Sequence, residues 1–132
     1  MKITMETDYA IRILYCLAKH GEKVDAKTIS EEMGVTLRFS LKILRKLVMH
    51  DIVRSYKGVN GGYELNRPPS QITFADIVSA VDGEIGIHRC LMDEKPCTRV
   101  GDKQNCMFRK EFQRINQKLV DEFQSITLER FL

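Results

Sequence analysis

The chain has 132 residues and a mass of 15.3 kDa, enough for one domain with its own core. It is 43% hydrophobic and 30% charged, with three prolines and eight glycines, which excludes a disordered or low-complexity chain. The formal net charge is only +3, but residues 36 to 67 hold seven basic side chains against two acidic ones, a local +5 against −2 for the other 100 residues. A basic island of this kind is the electrostatic footprint of a surface that meets phosphates.

The longest apolar run, Ile13 to Ala18, has six residues, far short of the ~20 that span a bilayer. Met1 to Glu6 contain no apolar signal-peptide core, so no membrane is expected as a partner and the cytoplasm is the expected compartment. Between Thr7 and His20, the positions Tyr9, Ile13, Cys16 and Leu17 recur at helical spacing and predict an amphipathic first helix. Cys16 lies on its buried stripe and reads as a small core hydrophobe. Asp25 is placed to cap a second helix that ends at Met33, where Gly34 suits the left-handed closing position. Thr36 caps a third helix over residues 37 to 50. A short helix, a glycine turn and a second helix make a helix-turn-helix. Two inward stripes are open for the third helix, one through Phe39, Ile43 and Leu47, the other through Leu37, Leu41, Leu44 and Val48. Both leave Arg38, Lys42 and Arg45 outside, where a recognition helix carries its groove-reading side chains.

Asp51 to Tyr56 and Tyr63 to Leu65 are β-prone runs around Lys57-Gly58-Val59-Asn60-Gly61-Gly62, the pattern of a hairpin. Behind a helix-turn-helix such a hairpin is a wing. Its glycines admit close approach to a sugar-phosphate backbone, Arg54 and Lys57 supply charge, and Asn60 sits in the turn. Pro68-Pro69 break the chain, and Thr73 to Asp76 read as a capping box with Ile72 and Ile77 as its hydrophobic staple. The fourth helix runs to about Val81 and stops at Asp82-Gly83.

From there to Asn105 no periodic segment occurs, and so long a loop is read as functional. Cys90, Cys97 and Cys106 fall within 17 residues, which in a reducing compartment points to metal or redox chemistry more than to disulfides. Asn105 is placed to cap the last helix, whose positive end favours the thiolate of Cys106. Along that helix Phe108, Phe112, Ile115, Leu119, Phe123 and Ile126 form an apolar seam. About 22 residues make some 33 Å of helix, more than this domain needs for itself. A second copy of the chain is the simplest cover for the surplus seam, and folding back on its own domain is the other.

In order and spacing these segments resemble the Rrf2 family of bacterial winged-helix transcription regulators. The matching residues are Tyr9-Ala10 with Arg12, Gly34-Val35-Thr36, Ile52-Val53-Arg54-Ser55, and Gly61-Gly62-Tyr63 with Leu65, then Ile72-Thr73 followed by Asp76-Ile77, Ala80-Val81 and Gly83. The resemblance implies a mostly α, α+β winged helix-turn-helix with a long C-terminal dimerisation helix. It divides the chain into a DNA-binding domain at 1–83, a cysteine-bearing cluster-binding loop at 84–106, and the dimerisation helix and C-terminus at 107–132, together one compact unit. It implies a homodimer without enzymatic activity, a repressor on a double-stranded DNA operator. Control would come from an iron–sulfur cluster, two-iron or four-iron, on Cys90, Cys97 and Cys106, sensing iron–sulfur status, redox state or nitric oxide.

By the same resemblance Thr36, Arg38, Leu41 and Lys42 fall where family members face the major groove, and Lys57 where an arginine usually enters the minor groove. Phe39 matches an inward aromatic, which favours the first stripe. Asp8, in Thr7-Asp8-Tyr9-Ala10, matches a cluster ligand supplied across the dimer, and capping the first helix is its other reading. His88 and Glu6 are further ligand candidates. The sequence departs from the family at Ser40, where an apolar residue is common, at Arg109, where some relatives have a histidine, and in the wide cysteine spacing of six and then eight residues. Two alternatives stay open: a cluster-free regulator using the cysteines as thiol switches or as zinc ligands with one His, Asp or Glu, and a small iron–sulfur redox protein.

Overall fold

The computed structural model describes residues 2–99 and 101–132; Met1 and Val100 lie outside them. Seven elements follow in chain order: α1 (Met5–His20), α2 (Ala26–Met33), α3 (Leu37–Met49), β1 (Val53–Tyr56), β2 (Gly62–Leu65), α4 (Phe74–Asp82) and α5 (Met107–Ser125). Short 3-10 turns lie at Pro69–Gln71, Arg89–Leu91, Lys103–Asn105 and Leu128–Phe131. The first four helices begin where a side-chain oxygen meets an orphan N–H: Thr4, Asp25, Thr36 and Thr73 cap α1 to α4. Gly21 and Gly34 close α1 and α2 at φ of 66° and 65°. The capping box of Thr73 and Asp76 is formed from both sides.

Two caps differ from the sequence expectation. Helix α1 starts earlier than Thr7, so Thr4 caps it, and Asp8 lies inside the helix, 2.7 Å from the Arg12 guanidinium. Helix α5 is capped by Cys106 rather than by Asn105, because Asn105 is drawn into the 3-10 turn that precedes it.

Ile13, Leu14 and Leu17 of α1, Ile29 of α2, Ile43, Leu44 and Leu47 of α3 and Ile77 of α4 are fully buried in one core. Helix α3 turns Ser40, Ile43, Leu44 and Leu47 inward, so its stripe draws on both expected registers. Phe39 is exposed, which corrects its inward placement. The small Ser40 takes the buried position instead and donates to the Val35 carbonyl at 3.5 Å, letting α3 sit close to the turn. Phe39, one step round the helix, rests 6.1 Å from the Tyr9 ring.

Strands β1 and β2 pair antiparallel with Val53 opposite Leu65. Val24 adds a further rung beside β2, an isolated bridge in which it exchanges two 2.8 Å backbone hydrogen bonds with Tyr63. A Cβ on Gly62 would stand 2.8 Å from the Val24 carbonyl oxygen, so only glycine lets this rung close.

Helix α5 has 19 residues, about 28 Å at 1.5 Å per residue, and ends before Ile126. Its seam divides. Leu119, Val120 and Phe123 pack on Ala75 and Val78 of α4 and on Ile85, and Phe112 stacks on His88 at 5.1 Å. Met107, Phe108 and Ile115 stay exposed.

Beyond α5 the chain returns to the winged half. Phe74 donates to the Ile126 carbonyl and Leu128 to the Ile72 carbonyl, both at 2.9 Å, and Phe131 stacks on Phe74 at 5.5 Å. Leu128 is buried in the main core. Leu128→Ala should therefore lower the unfolding free energy by about 2 to 5 kcal/mol, measured by urea denaturation. A loss within the range of an ordinary surface substitution would show that this return does not hold the fold. Among the described residues no helix is long and apolar enough to cross a membrane.

Candidate nucleic-acid interface and cysteine-bearing loop

The outer face of α3 is an open groove of about 700 Å³ lined by Arg38, Phe39, Leu41, Lys42 and Arg45. It combines planar guanidinium donors with apolar side chains, the two chemistries that read a guanine edge and a thymine methyl in the major groove. Thr36 is exposed at the head of this face, its hydroxyl accepting from the Phe39 N–H at 3.2 Å.

Lys42 and Lys46 reach back to α1 and clamp the two carboxylate oxygens of Glu6, at 2.6 and 2.8 Å. Hydrogen bonds from Lys42 and Lys46 hold the Glu6 carboxyl below the usual carboxylate range. Glu6, read from sequence as a ligand candidate, thus positions two cations of α3. Nothing in its own segment announces that role, since the partners lie 36 and 40 residues away.

At the wing Lys57 and Asn60 are exposed, and Val59 between them is fully exposed. Arg54 stays at the base, donating to Asn66 Oδ1 at 3.0 and 2.7 Å and to the Tyr56 hydroxyl at 3.4 Å. Lys23 lies over the Tyr56 ring at 4.8 Å and adds a cation beside the wing that the sequence pattern did not single out.

In the loop, Cys90 and Cys97 line one cleft of about 360 Å³ with His88, Asp93 and Lys103. The Arg99 N–H donates to Cys97 Sγ at 3.4 Å, and the Arg99 guanidinium donates to Cys106 Sγ at 3.1 Å while lying on the Phe108 ring at 4.4 Å. Arg109 Nε donates to the Cys90 carbonyl at 3.2 Å. Asn116 ties the loop to α5 by accepting from the Ile87 N–H at 2.9 Å and donating to the Ile85 carbonyl at 3.1 Å. Lys103 grips Asp93, whose carboxyl it holds low.

Cys106 Sγ accepts from the Arg109 N–H at 3.5 Å. The Arg109 and Phe108 backbone N–H groups and the Arg99 cation pull the Cys106 thiol below its ordinary range, against the opposing effect of burial. Cys16 is the opposite case: burial, helped by the carboxylate of Glu32, pushes its thiol up to about 12. Ultraviolet titration of the metal-free chain should show one thiolate forming at lower pH than an ordinary thiol. That early step should vanish in Cys106→Ser, and its persistence there would assign it to another residue.

A single zinc holds its donor atoms within about 4 Å of one another. Among the described residues the loop cysteines form no such group. Among the described residues three donors meet more closely than 4.8 Å at Cys16, His20 and Glu32. Asp8 is engaged by Arg12 on its own helix rather than by the loop.

A helix-turn-helix with a basic, grooved second helix beside a glycine-turned wing defines a winged-helix transcription regulator. Within that class the chain belongs to the Rrf2 family: residues 3–132 match the family model described as an iron-dependent transcriptional regulator. It is 36% identical over 91 residues to protein aau3 of Rhizobium meliloti, covering 68% of this chain but only 59% of that protein. It is 28% identical over 134 residues to the HTH-type transcriptional regulator IscR of Xenorhabdus nematophila, spanning 100% of this chain and 79% of IscR. The fold superposes on CymR, the global cysteine regulator of B. subtilis, with a TM-score of 0.76 and 27% identity over 98% of this chain and 94% of CymR. IscR and CymR are both regulators.

Proposed function

We propose that the chain is a homodimeric repressor that reads a DNA operator with Thr36, Arg38, Leu41, Lys42 and Arg45 of the helix-turn-helix. In this reading Arg54, Lys57 and Asn60 of the wing face the backbone or minor groove, and the regulator is governed by an iron–sulfur cluster on Cys90, Cys97 and Cys106. The observation that carries the cluster reading is Cys106. Two backbone N–H groups and a guanidinium bias its sulfur to thiolate, the form that ligates iron. Arg99 links it to Cys97, and Cys97 shares a cleft with Cys90. When bound, the cluster supplies an iron centre reactive to redox change and nitric oxide. Asp8 of a second copy is the candidate fourth ligand.

The chain's own contacts connect that loop to the DNA-reading face. Arg109 and Asn116 fasten loop residues 85 to 90 to α5, and α5 lies on α4, which packs against α3. The pose of α5 is therefore sensitive to the shape of the loop. Exposed Met107, Phe108 and Ile115 offer the seam for a second copy. In such a dimer a change in that pose alters the spacing of two recognition helices, which must match one DNA turn of about 34 Å. The segments 1–83, 84–106 and 107–132 then act as reader, sensor and dimer link of a cytoplasmic protein.

Anaerobic purification with iron and sulfide analysis, followed by operator selection on metal-loaded and stripped protein, tests this. A brown protein whose specific affinity changes on stripping supports the proposal. The lowered Cys106 thiol also serves a second reading, a cluster-free regulator acting through its thiols. Colourless protein with operator binding that responds only to thiol oxidation selects that reading.

Glu6→Gln should raise affinity for random duplex, because Lys42 and Lys46 lose an anionic competitor. The slope of log K against log salt should steepen by about one to two units, read by fluorescence anisotropy over a salt series. An unchanged slope would place both lysines away from phosphates.

A further inference from the structure

The end of α1 and the end of α2 meet at a second donor cluster, far in sequence from the cysteine-bearing loop. Cys16 and His20 are one helical turn apart on α1 and so share a face. Both converge on a single atom of α2: Cys16 Sγ lies 3.3 Å and His20 Nε2 2.8 Å from Glu32 Oε2. The three donor atoms all lie within 4.8 Å of one another. With Zn–S near 2.3 Å and Zn–N and Zn–O near 2.0 to 2.1 Å, tetrahedral coordination sets donor separations of about 3.3 to 3.6 Å. The observed triangle needs adjustments of an ångström or so to match, made by the partly exposed His20 and Glu32 side chains.

The surroundings suit an ion. Cys16 is buried, so one side of the site is core, while Tyr15, Lys19 and Met33 frame an opening of about 280 Å³ that gives an entry path and room for a water as fourth ligand. One thiolate, one imidazole and one carboxylate select a borderline cation such as zinc. Magnesium and calcium prefer oxygen donors alone.

We propose that Cys16, His20 and Glu32 form a site for one zinc-class divalent cation that clamps α2, the first helix of the helix-turn-helix, onto α1. Binding exchanges the Cys16 thiol proton for the cation, and the proton leaves to solvent. The clamp would fix the support on which α3 stands, independently of any group held by the loop.

The test uses the full chain carrying Cys90→Ser, Cys97→Ser and Cys106→Ser, with folding checked by circular dichroism, titrated with cobalt(II) as a zinc surrogate. The expected result is one equivalent bound with a thiolate-to-cobalt charge-transfer band and the visible bands of a tetrahedral site. The charge-transfer band should disappear on adding Cys16→Ser, and His20→Gln or Glu32→Gln should each weaken binding at least about tenfold. Absence of the band, or a band and affinity indifferent to these changes, overturns the proposal. Should Cys16→Ser or the triple variant fail to fold, zinc stoichiometry of the chain with its loop cysteines intact decides. Loss of one equivalent in both His20→Gln and Glu32→Gln supports the clamp, and an unchanged count refutes it.

Discussion

Cys106→Ser is expected to yield a folded protein that retains little iron after anaerobic reconstitution and binds its operator as the stripped wild-type chain does. Serine is a good N-cap, so its hydroxyl can take over the N–H of Arg109 that Cys106 Sγ now accepts. Helix α5 should keep its start, and the substitution isolates the sulfur. What is lost is a sulfur whose thiolate form two backbone N–H groups and the Arg99 guanidinium favour. Since outer-shell changes alone weaken metal sites about 10- to 100-fold, removal of a ligand should lower iron retention at least as much. Far-ultraviolet circular dichroism and Tm should stay close to wild type. Wild-type iron and sulfide content in the variant would remove Cys106 from the ligand set, and with it the observation that carries the cluster reading.

The helices and wing were legible because their boundaries are written in local chemistry. Asp25 and Gly34 bracket α2, Thr36 opens α3, and the Thr73–Asp76 pair opens α4. What was less legible has a common cause: apolar residues serve two surfaces. Leu37, Phe39 and Leu41 stand exposed on α3, so its periodicity does not separate the core stripe from the outer face. Phe108 and Ile115 do the same on α5, where part of the seam covers α4 and part faces outward. Asn105 is a common cap type and cysteine an unusual one, so the cap of α5 at Cys106 is not written in local chemistry. The return of Leu128 to the core has no period to detect. The clamp of Glu6 on Lys42 and Lys46 and the meeting of Cys16 and His20 with Glu32 depend on how helices pack, and one sequence does not give that.

Arg38→Ala should separate base reading from phosphate binding more cleanly than any other change on α3. Arg38 lies in the first turn of α3, exposed in the open groove, and its guanidinium makes no ion pair among the described residues. Lys42→Ala would also release Glu6, mixing a lost cation with an unmasked anion, whereas removing Arg38 leaves that clamp in place. A bidentate arginine–guanine contact contributes about 1 to 3 kcal/mol of discrimination, so operator affinity should fall about 5- to 150-fold. Affinity for random duplex should change much less. Lys57→Ala at the wing should do the reverse, weakening both duplexes alike and reducing the salt slope by about one unit. Lysine there presents a point charge rather than a planar fork, so a loss confined to operators with a narrow minor groove would assign it to shape readout instead. Equal losses on operator and random duplex for Arg38→Ala would reduce α3 to a phosphate-binding helix. Sequence choice would then have to come from Leu41, Phe39 and the exposed Val59 of the wing, through apolar contact with bases.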